Sequence, residues 1–473
     1  MSHNKVSFLR QGATAAFDNT LLELRLVNCS LASFQAELSM FNALTNSLDF
    51  SQTSVRYWPS ALSSLTRLQY LDMSHNKVSF LRQGATAAFD NTLLELRLVN
   101  CSLASFQAEL SMFNALTLLD LSDNAIKDIP TGSLNAVATT LTSFKLVRGN
   151  LAYLPATLTD LKALQLLDLS DNAIKDIPAG SLKAVAATLT SFKLVRGNLA
   201  YLPAALTDLK ALQEVDLSEN PMVSTNNDVL GVGSSPLLAN SAHTLRTLRL
   251  ASCGLVAVPR ALLGLDALQE LDLSDNGIVT LNNYQFDSMV NLEKLYLRGN
   301  PISTVPYKTF SGLTSLSMLD MSGGRLTYAP SSALGEMPAL SQLDLSKNRI
   351  SVLLDNTFPK SPSLTTVDLS YNTITNISDM AFQGATALQT LKMNDCSLTS
   401  IPRSLRLAYG LRSVYLDNNP IPCNCQSMGW IKTWKLSAGL IPHLFGQCFN
   451  GASLSIDLYI STMLGGCDVP IGR

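Results

Sequence analysis

Apolar residues recur along this chain about every 24 positions, with the same internal spacing each time. Leu268-Gln-Glu-Leu271-Asp-Leu273-Ser-Asp-Asn276-Gly-Ile278 shows the pattern L-x-x-L-x-L-x-x-N-x-L. Apolar and polar residues alternate over its centre, which predicts a short β-strand. One such unit cannot bury its own apolar face, so we predict stacked strands in a parallel sheet over one continuous core. The seventeen repeats begin at Leu21, Thr45, Leu68, Leu93, Leu116, Leu141, Leu164, Leu189, Leu212, Leu245, Leu268, Leu292, Leu316, Leu340, Leu364, Leu388 and Leu411.

Two long segments of the chain are duplicated. Residues 1–45 recur unchanged at 73–117, and residues 118–165 recur at 166–213 with four substitutions. The repeats are 23 to 25 residues apart, except for a spacing of 33 between Leu212 and Leu245. The extra residues fall in a stretch rich in Ser, Asn and Gly, so we predict an inserted surface loop at about 223–242.

The ninth position of each repeat predicts a buried ladder of side chains. Asparagine fills it most often, and a buried amide there must bond to the backbone of neighbouring turns. Glycine has no side chain to contribute, so we expect water or a shifted turn at Gly149, Gly197 and Gly324. Thr53 and four cysteines, Cys29, Cys101, Cys253 and Cys396, take the same position and should be buried. The asparagines are Asn4, Asn76, Asn124, Asn172, Asn220, Asn276, Asn300, Asn348, Asn372 and Asn419.

Composition and charge exclude several classes of protein. Hydrophobic residues make up 47% of the chain and charged residues 15%, with a net charge of −2. This is too apolar for a disordered protein and too evenly charged for a nucleic-acid partner. No apolar run reaches the ~18 residues of a membrane span, so we predict no membrane insertion. The four histidines are scattered and no catalytic motif is present, so we predict no enzyme, no cofactor and no metal.

The other four cysteines lie near the end of the chain. The string Asn419-Pro-Ile-Pro-Cys423-Asn-Cys425 is followed by Trp430, Trp434, Cys448 and Cys467. A C-x-C pair alone is also compatible with a metal site. With the repeats before it, the string resembles the cysteine-rich C-terminal cap of extracellular leucine-rich repeat proteins, the group that includes Toll receptors, Slit and chaoptin.

This resemblance implies a fold and a location. The fold is a right-handed α/β solenoid, a horseshoe with its parallel sheet on the concave face, closed by a disulfide cap. The implied pairs are Cys423–Cys448 and Cys425–Cys467, which require an oxidising compartment. We therefore predict a solenoid over 1–421, with a partial repeat at 1–20, and a cap over 422–473. The expected location is extracellular or at the cell surface.

The start of the chain and its sequons bear on that location. Met1 matches Met73, an apolar strand residue, so the chain starts in mid-strand without a signal peptide, and we expect a truncated N-terminus. An intracellular chain is the alternative. Three asparagines, Asn28, Asn100 and Asn376, head N-x-[S/T] sequons, which become glycosylated only in the secretory pathway. Asn376 is the strongest candidate, because Asn28 and Asn100 precede a buried ladder cysteine.

Positions three, five and seven of each repeat should form the outward surface of the sheet, here called the strand face. At position five the sign of the charge alternates over eight strands from Arg97 to Asp272, which predicts a self-neutralised ladder. Asp320, Asp344 and Asp368 break the alternation with three like charges, although Leu-Asp-Leu-Ser is also a common filler of this repeat class. We predict ligand contacts there, from Lys294, Tyr296, Arg298, Asp320, Asp344, Asp368, Tyr371, Lys392 and Tyr415.

The predicted function is non-covalent recognition by a receptor or cell-adhesion protein. The strand face would bind a protein or glycan ligand, and the acidic run favours a ligand with a lysine, an arginine or an amine. Two alternatives remain. One is an intracellular interaction scaffold, in which all eight thiols would be free. The other is a matrix or adhesion protein that forms a homodimer through the same surface.

Overall fold

The computed structural model describes residues 23–28, 46–82, 84, 86–222, 237–358, 361–438, 441–449 and 454–467. The predicted partial repeat at 1–20, Cys29 and residues 223–236 of the predicted inserted loop lie outside the described residues. By their internal contacts, the described residues form two compact units, a first unit up to Leu245 and a second unit from Arg246 onward.

Every predicted repeat contains a strand at its third to fifth positions. The first unit has nine: β1 Glu23–Arg25, β2 Ser47–Asp49, β3 Tyr70–Asp72, β4 Glu95–Arg97, β5 Leu118–Asp120, β6 Ser143–Lys145, β7 Leu166–Asp168, β8 Ser191–Lys193 and β9 Glu214–Asp216. The second has β10 Thr247–Arg249, β11 Glu270–Asp272, β12 Lys294–Tyr296, β13 Met318–Asp320, β14 Gln342–Asp344, β16 Thr366–Asp368, β18 Thr390–Lys392 and β19 Ser413–Tyr415. Two short strands, β15 Val352–Leu353 and β17 Asn376–Ile377, pair with each other in a separate sheet.

Within each unit the main strands are parallel and in register with their neighbours along the chain. The middle residue of the strand points into the core, and Leu48, Phe144 and Leu295 are fully buried there. Alternation along a strand then leaves the third and fifth positions facing outward. Within each unit, the predicted parallel sheet over an apolar core is confirmed.

Where the structure describes them, the segments that return from one strand to the next contain little α-helix. They consist of loops, the one-turn helix α1 Ser331–Leu334, the short strands β15 and β17, and 3-10 helices. Phe310 and Leu313 are fully buried there, and Phe310 stacks on Phe286 with 6.2 Å between ring centroids. The 3-10 helices of the repeats are Ser60–Ser64, Ala108–Met112, Asn135–Val137, Ala156–Asp160, Lys183–Val185, Ala204–Asp208, Ala239–Ser241, Arg260–Leu262 and Arg403–Leu407.

The asparagine ladder is present in both units. Asn172 Nδ2 donates to Leu146 O of the preceding repeat at 2.7 Å and to Leu169 O of its own repeat at 2.8 Å. Its Oδ1 accepts from Gly149 N at 3.0 Å and Leu151 N at 2.8 Å. All nine described ladder asparagines are buried and donate to both repeats in this manner, which confirms the prediction.

Cysteine and glycine fill the ladder position in two different ways. Cys101 Sγ donates to Met73 O at 3.2 Å, a bond that reproduces the cross-repeat bond of asparagine. Gly149 keeps its place in the ladder because its own N–H donates to Asn172. A Cβ at Gly149 would lie 2.8 Å from Leu146 Cγ, so the leucine side chain already fills that space. Of the two expectations for this position, the shifted turn is wrong at Gly149, and a bound water stays a prediction.

The C-terminal elements close the second unit. Helix α2 Cys425–Ala438 leads to β20 His443–Phe445, which pairs in parallel with β19, and then to α3 Ile456–Thr462 and a 3-10 turn at Leu464–Gly466. Met428, Ile431, Leu444 and Ile456 are fully buried, as expected of a cap over an apolar core. Disulfides join Cys423 to Cys448 and Cys425 to Cys467, so both implied pairs are confirmed.

Candidate functional site

The strand face of the second unit carries one continuous row of polar and aromatic side chains. Strand register places the position-five residues side by side from β12 to β20. We call this line the central row; in order, it consists of Tyr296, Asp320, Asp344, Asp368, Lys392, Tyr415 and Phe445. Six of these seven residues were predicted, and the structure brings them onto neighbouring strands.

The aspartates of the central row also end their strands. Asp344 Oδ1 accepts from Ser346 N at 2.8 Å, and Asp320 and Asp368 accept from Ser322 N and Ser370 N at 2.9 Å. The same bond occurs at Asp120, Asp168 and Asp216 in the first unit. Aspartate is thus favoured at this position by the local turn, independently of any ligand.

Asp344 is the least compensated charge of the acidic run. Burial raises the pKa of its carboxyl group, and the carboxylates of Asp320 and Asp368 raise it further, against the hydrogen bonds from Ser346, which lower it. Asp368 differs because Lys392 Nζ lies 3.4 Å from its Oδ2. The negative potential of the row is therefore centred on Asp344.

Replacement of Asp344 by asparagine should stabilise the protein near neutral pH. An acid with a raised pKa favours folding in its protonated form, and this advantage is lost as pH rises through the folded pKa. Asparagine keeps the acceptor for Ser346 N and removes the charge. We expect a higher melting temperature for Asp344→Asn at about pH 7 and equal values below the ordinary aspartate pKa of 3.8. A gain that is independent of pH would contradict this account.

The ends of the central row are aromatic. Tyr415 and Phe445 stack with 4.8 Å between ring centroids, and His443 lies beside Phe445 at 6.1 Å. Phe445 is 40% exposed, so this platform faces solvent. At the other end, burial raises the pKa of Tyr296, and Glu270, Asp272 and Asp320 add to that effect. Sequence reasoning missed Phe445 and His443, because β20 follows the last repeat; the alternation His443-Leu444-Phe445 was the available signal.

The remaining predicted contact residues border the central row. Lys294 lies on β12, and its Nζ is 3.8 Å from Glu270 Oε2. Arg298 is exposed two residues after β12. Tyr371 is 54% exposed just beyond β16, with Lys347 Nζ 5.8 Å from its ring centroid.

Position seven corrects the predicted strand face. The serines there are buried instead of outward-facing: Ser74, Ser122, Ser170, Ser274, Ser322, Ser346 and Ser370. Ser122 Oγ accepts from Val147 N of the next repeat at 3.1 Å, and Ser370 Oγ accepts from Asn394 N at 3.2 Å. In these seven repeats the outward surface is limited to positions three and five, whereas the position-seven serines Ser51 and Ser218 are half-buried.

The first unit offers a more neutral surface. Lys193 forms an ion pair with Glu214 on the neighbouring strand, with 3.0 Å between Nζ and Oε1. A second set of ion pairs lies at position eight, just beyond the ends of the strands. Arg148 Nε is 2.8 Å from Asp123 Oδ1, and Arg196 Nε is 2.6 Å from Asp171 Oδ1. The sequence shows this set as alternating Asp and Arg at position eight, a signal that the prediction did not use. The six charges of these pairs are therefore compensated within the unit.

The sequons lie in two kinds of environment. Asn28 and Asn100 are exposed in left-handed turns, with φ of 57° and 53°. Asn100 precedes the fully buried Cys101. Asn376 is exposed on β17. No group of three potential metal ligands occurs among the residues that the structure describes.

Comparisons with known proteins identify the fold class. Five overlapping segments, residues 243–302, 267–326, 291–350, 338–398 and 362–421, match the family model "Leucine rich repeat". A leucine-rich repeat protein of Leptospira interrogans superimposes with a TM-score of 0.65 and 20% identity, over 91% of this chain and 97% of that one. The fold is a leucine-rich repeat solenoid.

The plant peptide hormone receptor RGFR1, solved in complex with RGF2, has a TM-score of 0.53 and 19% identity, over 84% of this chain and 71% of that one. No curated protein matches the chain. The leucine-rich repeat is in general a non-catalytic scaffold for protein interactions. None of the described helices is both long and apolar enough to cross a membrane.

Proposed function

We propose that this protein is an extracellular or cell-surface recognition module, similar to the ectodomains of Toll receptors, Slit and chaoptin. In this proposal the solenoid spans 1–421 and the cap 422–473. The ligand is a protein or glycan bound by the strand face of the second unit. The observation that carries the proposal is the central row, in which an uncompensated acidic centre lies between aromatic ends.

The chemistry of the central row favours a cationic ligand. A lysine, arginine or amine at Asp344 would relieve the repulsion among three neighbouring carboxylates. Tyrosine and arginine, present here as Tyr296, Tyr415 and Arg298, are enriched among residues that dominate binding energy. The contact residues of the proposed site are Lys294, Tyr296, Arg298, Asp320, Asp344, Asp368, Tyr371, Lys392, Tyr415 and, from the cap, Phe445.

Calorimetric titration with paired peptides tests this function. The peptides would have aromatic residues around a central lysine or arginine, and the control peptides would have glutamate at that centre. We expect binding of the cationic set alone, weakening as salt is added, because exposed charges are screened. Equal binding of both sets would contradict the proposal. Sedimentation of the chain alone would reveal the homodimer of the adhesion alternative.

The thiols test the proposed compartment. Burial raises the pKa of Cys101 to about 12 and that of Cys396 to about 11, so almost no thiolate forms near pH 8. We expect alkylation of the native protein, isolated from its source without a reductant, to leave both unmodified. The cap cysteines should react only after reduction. Cap cysteines that react without a reductant would instead favour the intracellular scaffold.

A further inference from the structure

A cleft of about 450 Å³ lies in the second unit, where β17 and the segment after β18 meet the start of α2. Its volume is typical of ligand pockets, which span roughly 300–1,000 Å³. The central row contributes no side chain to it. Its walls include Asn376, Asp379, Arg403, Gln426 and Trp430.

The lining of the cleft suits a sugar. Amide, carboxylate and guanidinium groups supply both donors and acceptors, which matches hydroxyl groups that do both. Trp430 adds a flat apolar surface against which the C–H face of a pyranose ring can pack. Its ring is held in place because it stacks on Trp434, with 5.5 Å between centroids and 11° between planes. Leu398 and Ile401 give the cleft a buried apolar floor.

A sugar can be supplied by the chain itself. Asn376 heads the sequon Asn376-Ile377-Ser378, is exposed, and lines the cleft. Strand pairing holds its backbone, since Asn376 N donates to Ser351 O at 3.3 Å. A glycan attached to Asn376 therefore begins at the wall of the cleft and within the unit that contains Trp430.

We propose that Asn376 carries an N-linked glycan whose inner sugars occupy this cleft against Trp430. The Asn376 amide nitrogen bonds to the anomeric carbon of a lipid-linked oligosaccharyl diphosphate. The bond from that carbon to the diphosphate oxygen breaks, the diphosphate leaves with the electron pair, and the amide loses one proton. The glycan then bridges β17 and α2 and fastens the cap to the last repeats. This inference rests on the proposed secretory location.

The rate of deglycosylation tests the inference. The full chain would be secreted from a eukaryotic host behind a supplied signal peptide, and occupancy at Asn376 measured by mass spectrometry. Peptide-N-glycosidase should release this glycan several-fold more slowly from the native protein than from Trp430→Ala. Trp430→Phe should retain the slow release. Gln426→Ala, at an exposed position of the wall, should speed release without disturbing the cap.

Tryptophan quenching gives an independent measurement. Trp58 and Trp434 are buried, so acrylamide reports mainly on Trp430. Quenching should increase in Asn376→Gln, which carries no glycan. An unmodified Asn376, equal release from the native protein and Trp430→Ala, or unchanged quenching would each overturn the inference. None of these measurements involves the central row, so their failure is distinct from failure of ligand binding.

Discussion

Replacement of Asn172 by alanine should lower the free energy of unfolding of the first unit by about 2–5 kcal/mol, since several buried groups lose their partners. The carbonyls of Leu146 and Leu169 lose a donor, and the amides of Gly149 and Leu151 lose an acceptor. Urea unfolding measures the total decrease in the free energy of unfolding. Hydrogen exchange should show the fastest change at Gly149 and Leu151, because contacts in a repeat stack are local.

Asn172→Cys is the matched control for this prediction. Cysteine occupies the same position naturally at Cys101 and Cys396, where Sγ donates to the carbonyl of the preceding repeat at 3.2 and 3.1 Å. The thiol therefore restores part of the lost bonding, and we expect a smaller loss of stability than for alanine. Equal stability of the alanine variant and the native chain, with unchanged exchange at Gly149, would mean that water replaces the amide.

The periodic part of the fold could be predicted because each repeat has the same local environment. The apolar residue at position four is buried in every one of these strands except β1, where Leu24 is half-buried, so one motif predicted all seventeen strands. The asparagine ladder followed from its position after the strand. Gly149 could not be predicted in this way, because its role depends on the place of the Leu146 side chain. Such packing between residues has no signature in the spacing of the sequence.

Two features of the candidate site show where strand periodicity fails. Ser346 is buried although alternation predicted an outward position, because the chain turns inward after β14 to bring Asn348 into the ladder. Phe445 lies in the central row although no repeat contains it, because β20 extends the sheet from the cap. Alternation predicts the direction of a side chain only within the three residues of each strand.

Replacement of Asp320, Asp344 and Asp368 by asparagine should weaken binding of a cationic ligand at least about tenfold, since a hydrogen bond to a charged group contributes roughly 1.5–3 kcal/mol. Among single variants Asp344→Asn should have the largest effect, because Lys392 already compensates Asp368. The unliganded triple variant should be slightly more stable than the native protein, as the repulsion is gone. Titration calorimetry and thermal unfolding measure the two effects.

The control is the same triple change at Asp120, Asp168 and Asp216 in the first unit. These aspartates make the same bond to a serine N–H and lie in register with lysines, so their loss removes attraction instead of repulsion. We expect unchanged binding and a small loss of stability, at most ~1 kcal/mol per pair. If both triple variants bind a cationic ligand equally well, the acidic run serves only to end its strands. If the central-row variant loses binding and the first-unit variant keeps it, recognition is assigned to the central row, because the local turn chemistry is the same in both.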